Sequence, residues 1–178
     1  GQHMWGYQRH GIAPDLVTMG KPMGNGHPLA GLCARQELLD AFGRETRYFN
    51  TFGGNTVSAA VGMAVLDVLE REQLLANTVA QGNYFRQGLQ ALAARHSWIG
   101  DVRQFGLFLG VELVHEADPH RPAPEATTQV VNGMKTRGVL ISACSRSANI
   151  LKIRPPLVLE RVHVDFFIEA LDDCLGSL

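Results

Sequence analysis

Three side chains in this sequence stand where chemistry is possible. They are a lysine at the tip of an apolar run, a threonine in a glycine-rich turn, and an arginine followed by two prolines. Lys21 follows Leu16-Val17-Thr18-Met19-Gly20 and precedes Pro22, Gly24 and Gly26. The apolar run predicts a buried strand ending at Gly20. Proline fixes one torsion and removes a donor, and glycine opens backbone angles closed to other residues, so the next residues form a stiff, irregular loop. A lysine held there and partly desolvated loses its proton readily and becomes a nucleophilic amine, suited to a Schiff base with an aldehyde. A solvated surface lysine is the alternative. Two glycine–lysine motifs are excluded. A phosphate-binding loop would need glycine where Asp15 stands and a hydroxyl residue where Pro22 stands, and a dinucleotide fingerprint starting at Gly24 would need glycine in place of Leu29.

Thr51 lies in Tyr48-Phe49-Asn50-Thr51-Phe52-Gly53-Gly54-Asn55, directly before a helical pattern. A hydroxyl and a Gly-Gly turn ahead of a helix with unpaired N–H groups suit an anion, with Thr51 as donor to a phosphate oxygen. A plain turn with Asn55 as N-cap is the competing reading. Arg154 ends the run Asn149-Ile150-Leu151-Lys152-Ile153-Arg154-Pro155-Pro156. A rigid arginine at a strand end makes a fork for a carboxylate, or is simply exposed at a sheet edge.

The elements that must position these residues follow from periodicity. Leu29–Ala34 predicts a second buried strand and Glu37–Phe42 a helical turn. Val57, Ala60, Val61, Ala64, Val65, Val68 and Leu69 recur at helical spacing, with small residues Ser58, Ala59, Ala60, Gly62 and Ala64 allowing close packing on a neighbour. A second helix carries Leu75, Val79, Phe85, Leu89 and Leu92. The period then changes to two: Ile99–Arg103, and Leu107, Leu109, Val111 and Leu113, predict strands. His115–Pro124 is polar and proline-rich and predicts a surface loop, without the rigid spacing a metal needs. Pro124–Arg137 predicts a helix stopped by Gly138, Val139–Ser142 a strand, and His163–Leu175 a closing helix. Residues 1–14, with Arg9 and His10, predict a loop.

Of 178 residues, 46% are hydrophobic and 19% charged, which supports one or two compact units with a real core. The net charge of -1 implies no nucleic acid or other polyanion partner. No apolar run approaches the roughly 20 residues of a membrane span. Cys33, Cys144 and Cys174 are widely spaced and odd in number, which predicts reduced thiols, a cytoplasmic setting and no metal site.

Pro14-Asp15-Leu16-Val17-Thr18-Met19-Gly20-Lys21-Pro22-Met23-Gly24-Asn25-Gly26-His27-Pro28 closely resembles the cofactor-lysine segment of class III pyridoxal-phosphate aminotransferases. Within that family the chain is most similar to the alanine–glyoxylate aminotransferase 2-like branch, which includes ethanolamine-phosphate phospho-lyases. The resemblance implies a fold-type I α/β architecture. Residues 1–71 would be the C-terminal part of the large domain, and 72–178 a linking helix and small α+β domain. It implies that Lys21 holds pyridoxal 5'-phosphate as a Schiff base. Thr51 would bind the cofactor phosphate of a neighbouring subunit, in a homodimer with a shared active site. Thr56 stands where the family often has proline. Arg154 matches an arginine that binds the substrate α-carboxylate in several members. The phospho-lyase branch often has lysine there, so Arg154 favours an amino donor and a keto acid as substrates. Asp101–Leu107 also resembles a family segment, with Gln104 in place of a usual glycine. The family's upstream Asp-Glu-Val segment, whose aspartate pairs with the pyridine nitrogen, does not occur in the chain, so the expectation is the C-terminal part of a longer enzyme. The implied function is amino-group transfer between an amino acid or amine and a keto acid. A phospho-lyase acting on a phosphorylated amine is the alternative, and an inactive folding or dimerisation module the third reading.

Overall fold

The apolar run before Lys21 forms strand β1 (Leu16–Met19) in the computed structural model, which describes residues 1–178. It pairs antiparallel with β2 (Gly31–Ala34), from Leu16 opposite Ala34 to Met19 opposite Gly31. An Asp15–Arg35 ion pair at 2.9 Å closes the open end of this ribbon. Neither strand is buried as expected: Leu16 is 55% and Leu32 54% exposed. Val17 and Met19, on the other face of β1, are half-buried. Helix α1 (Gln36–Glu45) is longer than the predicted turn and buries no residue. Helix α2 (Thr56–Arg71) begins at Asn55, whose carboxamide oxygen accepts from Val57 N at 3.0 Å and Ser58 N at 3.1 Å. Residues His3–Leu74 form one compact unit. Its first residues include a 3-10 helix, Gly6–His10, where a loop was expected.

The second unit holds Leu75–Leu178 with Gly1 and Gln2. Helix α3 (Leu74–Ala93) leads into a five-stranded antiparallel sheet of β3 (Ile99–Phe105), β4 (Phe108–His115), β5 (Asp118–Pro122), β6 (Ser142–Cys144) and β7 (Ile150–Ile153). The strand order is β3-β4-β7-β6, with β5 also paired to β4. Helices α4 (Pro124–Thr136) and α5 (Arg161–Leu175) complete the unit. The period of two in β4 is realised: Leu109, Val111 and Leu113 are buried and Phe108 is exposed. They join Phe85, Leu89 and Leu92 of α3, Val130 and Met134 of α4, and Phe167 and Leu171 of α5 in one core. Phe85 and Phe167 meet edge to face at 4.9 Å. At Gly82 a Cβ would lie 2.2 Å from the Gly106 carbonyl oxygen, so α3 crosses the β3–β4 turn where only glycine fits. Gln104 donates to that same oxygen at 2.8 Å.

Two elements depart from expectation. The predicted loop at His115–Pro124 contains β5, whose residues are all exposed. An edge strand tolerates its prolines because its outward N–H groups need no ladder partner. The strand predicted at Val139–Ser142 is shifted to Ser142–Cys144. Val139 N donates to Met134 O at 2.9 Å, closing the end of α4, so residue 139 serves the helix instead of the sheet. No helix is long and apolar enough to cross a membrane.

Two predictions come from these joints. His96 and Arg95, just past α3, bond the Asp172 carboxylate of α5 at 2.6 and 2.9 Å. The His96 bond, with Arg95 in support, holds the Asp172 carboxyl below its usual range. A folded-state pKa below the unfolded one stabilises above the unfolded value, and that contribution is lost as pH falls through the folded one. Asp172→Asn is therefore expected to lower stability at neutral pH and to flatten the loss of stability below about pH 4, measured by denaturant melts across pH. Asn55→Ala is expected to cost about 0.5–2 kcal/mol of α2 stability and to speed hydrogen exchange at the Val57 and Ser58 amides first.

Candidate active site

Lys21 opens a 3-10 turn, Lys21–Gly24, at the tip of β1. Gly20 before it is fully extended, and Lys21 itself has φ 49°, in the left-handed region. Such a conformation costs a side-chain-bearing residue about 1–3 kcal/mol and survives only where its surroundings impose it. Asn25 (φ 46°) and Gly26 (φ 101°) turn the same way, so the loop coils tightly beneath the lysine. Backbone bonds Met23 N to Gly20 O, Asn25 N to Pro22 O and His27 N to Gly24 O close it in three overlapping turns. Gly24 is buried, and a Cβ there would sit 3.1 Å from the Leu29 Cβ. Lys21 is exposed, so the partial desolvation expected from the sequence is not met within this chain.

The loop rests on α2. His27 Nε2 lies 2.9 Å from Ser58 Oγ, and Leu29 packs at Gly62, where a Cβ would come within 2.9 Å of Leu29 Cδ2. Ser58 and Gly62 are four residues apart and therefore share one helix face.

Thr51 sits in the turn that leads into α2. Asn50 Oδ1 accepts from Phe52 N and Gly53 N, both at 3.1 Å, and Gly54 takes φ 71°. None of these bonds uses the Thr51 hydroxyl, which is exposed. One expectation needs correction: the Asn55 carboxamide occupies the Val57 and Ser58 N–H groups, so these two donors at the start of α2 are not open to an anion. The Thr51 hydroxyl stands exposed in the turn just before them. Lys21 and Thr51 thus belong to one unit and hang from the same first turns of α2.

Arg154 belongs to the other unit. It directly follows β7, where Leu151 and Ile153 point into the core, and it is exposed. The alternation places Lys152 and Arg154 on the opposite sheet face. Beyond the two prolines, Asn77 of α3 donates to Leu157 O at 2.8 Å and Leu159 O at 3.0 Å, fixing the chain on the far side of Arg154. The first unit therefore displays a primary amine at Lys21 and a hydroxyl at Thr51, and the second unit, by itself, an exposed guanidinium at Arg154. Sequence reasoning missed the left-handed backbone of Lys21 and the His27–Ser58 contact. The small residues at positions 58 and 62 carried the one legible sign of the latter.

The family model "Aminotransferase class-III" matches residues 2–175. An Arabidopsis thaliana protein described as alanine–glyoxylate aminotransferase 2 homolog 2, mitochondrial, is 42% identical over 99% of this chain, which spans 37% of it. A Caenorhabditis elegans ethanolamine-phosphate phospho-lyase homolog is 38% identical, and the chain covers 38% of its length. Among solved structures, an Arthrobacter phospholyase in complex with phosphoethanolamine is similar with a TM-score of 0.95 and 46% identity, over 98% of this chain and 42% of that one. A Bacillus anthracis aminotransferase gives a TM-score of 0.90 at 27% identity, over 99% and 42% of the two chains. With its folded units matching these fold-type I structures and its lysine loop inside the matched segment, the chain belongs to the class-III aminotransferase family.

Proposed function

We propose that this chain carries the cofactor-lysine loop and the small domain of a pyridoxal 5'-phosphate-dependent aminotransferase. In this reading residues 1–71 belong to the large domain and 72–178 to the linking helix and small domain. The observation that supports it best is the Lys21 amine, held in left-handed backbone at a strand tip inside the matched segment. The donor set fits the cofactor: a primary amine at Lys21 for the aldehyde and the Thr51 hydroxyl for the phosphate. Pyridoxal phosphate, when bound, supplies an aldehyde and an electron-sink ring. With the cofactor present, Lys21 Nζ would be the base that takes the proton from the amine-bearing carbon of the substrate and the acid that gives it back. Arg154 orients the substrate by gripping its carboxylate in a planar fork.

Several exposed apolar residues near Thr51 support a homodimer with a shared site. Phe49 is 85% and Phe52 81% exposed, and Tyr48 stands beside them. A second copy covering this patch would bring the Thr51 hydroxyl to its neighbour's cofactor and desolvate both. The three free thiols suit a reducing compartment such as the cytoplasm, and the mitochondrial description of the Arabidopsis relative names a second one.

The second reading is a phospho-lyase. The Arthrobacter likeness favours it, and Arg154 opposes it, because phosphoethanolamine lacks the α-carboxylate that the proposed reading gives Arg154 to bind. Offering the full-length protein amino acids and phosphoethanolamine in parallel separates the two: keto-acid formation supports transamination, and phosphate release supports elimination.

Treating the full-length protein with pyridoxal phosphate and borohydride should fix the cofactor on Lys21, read by peptide mass. Lys21→Ala should abolish both this label and turnover, whereas a label on Lys135 or Lys152 would overturn the assignment. Arg154→Lys should raise the KM for amino acids roughly tenfold, the loss of about one charge-assisted hydrogen bond. An unchanged KM would remove Arg154 from the substrate site.

A further inference from the structure

We infer that His27 is a positioning residue, which clamps the Lys21 loop to the turn bearing Thr51 through the first turn of α2. The inference rests on the function proposed above for Lys21 and Thr51 and assigns a role to residues outside that set. Three contacts carry it. His27 Nε2 meets Ser58 Oγ at 2.9 Å. Ser58 Oγ lies 3.4 Å from Asn55 Oδ1, the same oxygen that accepts the Val57 and Ser58 amides. Leu29 fills the space above Gly62, one helical turn further on.

Donor and acceptor roles close in one direction. With its proton on Nε2, His27 donates to Ser58 Oγ, and the Ser58 hydroxyl donates onward to Asn55 Oδ1. Asn55 N is itself bonded to Phe52 O, within the turn that displays Thr51. A continuous path thus runs from the lysine loop through a helix cap to the hydroxyl-bearing turn, over residues 27, 58, 55 and 52. The left-handed Lys21 needs such support, because nothing in its own side chain favours that backbone. The Leu29–Gly62 contact sets how closely the loop approaches, and the His27–Ser58 bond sets its rotation on the helix.

The clamp acts on Lys21 through its backbone, so its loss should misplace the amine without removing it. In the full-length protein, His27→Ala and Ser58→Ala should each lower kcat about 3- to 10-fold, with KM for the amino substrate nearly unchanged. The double variant should be no worse than either single one. His27→Gln, which keeps a donor amide, should recover most of the rate. Independently of turnover, hydrogen exchange at the Met23, Asn25 and His27 amides should quicken in His27→Ala, while the β4 and α5 amides stay as protected as in the parent. Unchanged exchange in the loop overturns the clamp, as do additive losses in the double variant. Exchange that quickens equally throughout the His3–Leu74 unit in both His27→Ala and His27→Gln also overturns it, showing a general packing role. If Lys21→Ala retains its cofactor label, the functional reading fails, while the exchange measurement still decides the clamp.

Discussion

An L-residue held at positive φ is the constraint around which the first unit is arranged. Lys21 cannot hold φ 49° unaided. The antiparallel ribbon fixes where the chain leaves β1, Pro22 fixes the next torsion, and buried Gly24 lets the turn fold onto Leu29. The loop then needs a floor, and α2 supplies one by keeping Ser58 and Gly62 small on a single face. A larger residue at position 62 would push Leu29 away, and the turn above it would lose its support. Under the proposed function this backbone would fix the direction in which the Lys21 amine leaves the chain, lowering the entropy lost when it reacts.

The two units divide the work unequally. Residues 75–178 bury a continuous core between a sheet and three helices, and their positions follow from that core. Residues 3–74 bury almost nothing, although β1, β2, α1 and α2 are rich in apolar side chains. An apolar sequence without burial describes surfaces shaped for contact with other protein. A two-stranded ribbon is marginal in water by itself, so its order depends on what covers it. The chain spans 37–42% of the length of the Arabidopsis, Caenorhabditis, Arthrobacter and Bacillus proteins it resembles.

Elements whose pattern repeats over several turns were legible from sequence: α2 to α5, the buried alternation of β4, and the strand ending at Lys21. Burial of the first strands was misjudged because an apolar run reports affinity for a partner without saying whether the partner lies in the same chain. Edge strand β5 was missed because its prolines and charges are the marks of both loops and edges. The Asn55 cap was visible as one of two readings, and its geometry decides between them. The left-handed lysine left no trace, since backbone strain is imposed by tertiary contacts and not by the residue's own type. The His27–Ser58 contact joins positions 31 apart and has no periodic signature.

Under the proposed function, the choice between transfer and elimination turns on Arg154 rather than on Lys21, because both reactions begin with the same proton leaving the same carbon. What differs is the second charged group on the substrate and how it is held. Arg154 directly follows β7, whose Leu151 and Ile153 are buried in the core. A carboxylate matches the Arg154 fork, since two parallel N–H bonds meet its two oxygens in one plane. The backbone of Arg154 lies between a core-anchored strand and a segment tied to Asn77. Under the proposed function, the ground for ranking transamination above elimination is that phosphoethanolamine has no carboxylate for that fork to grip.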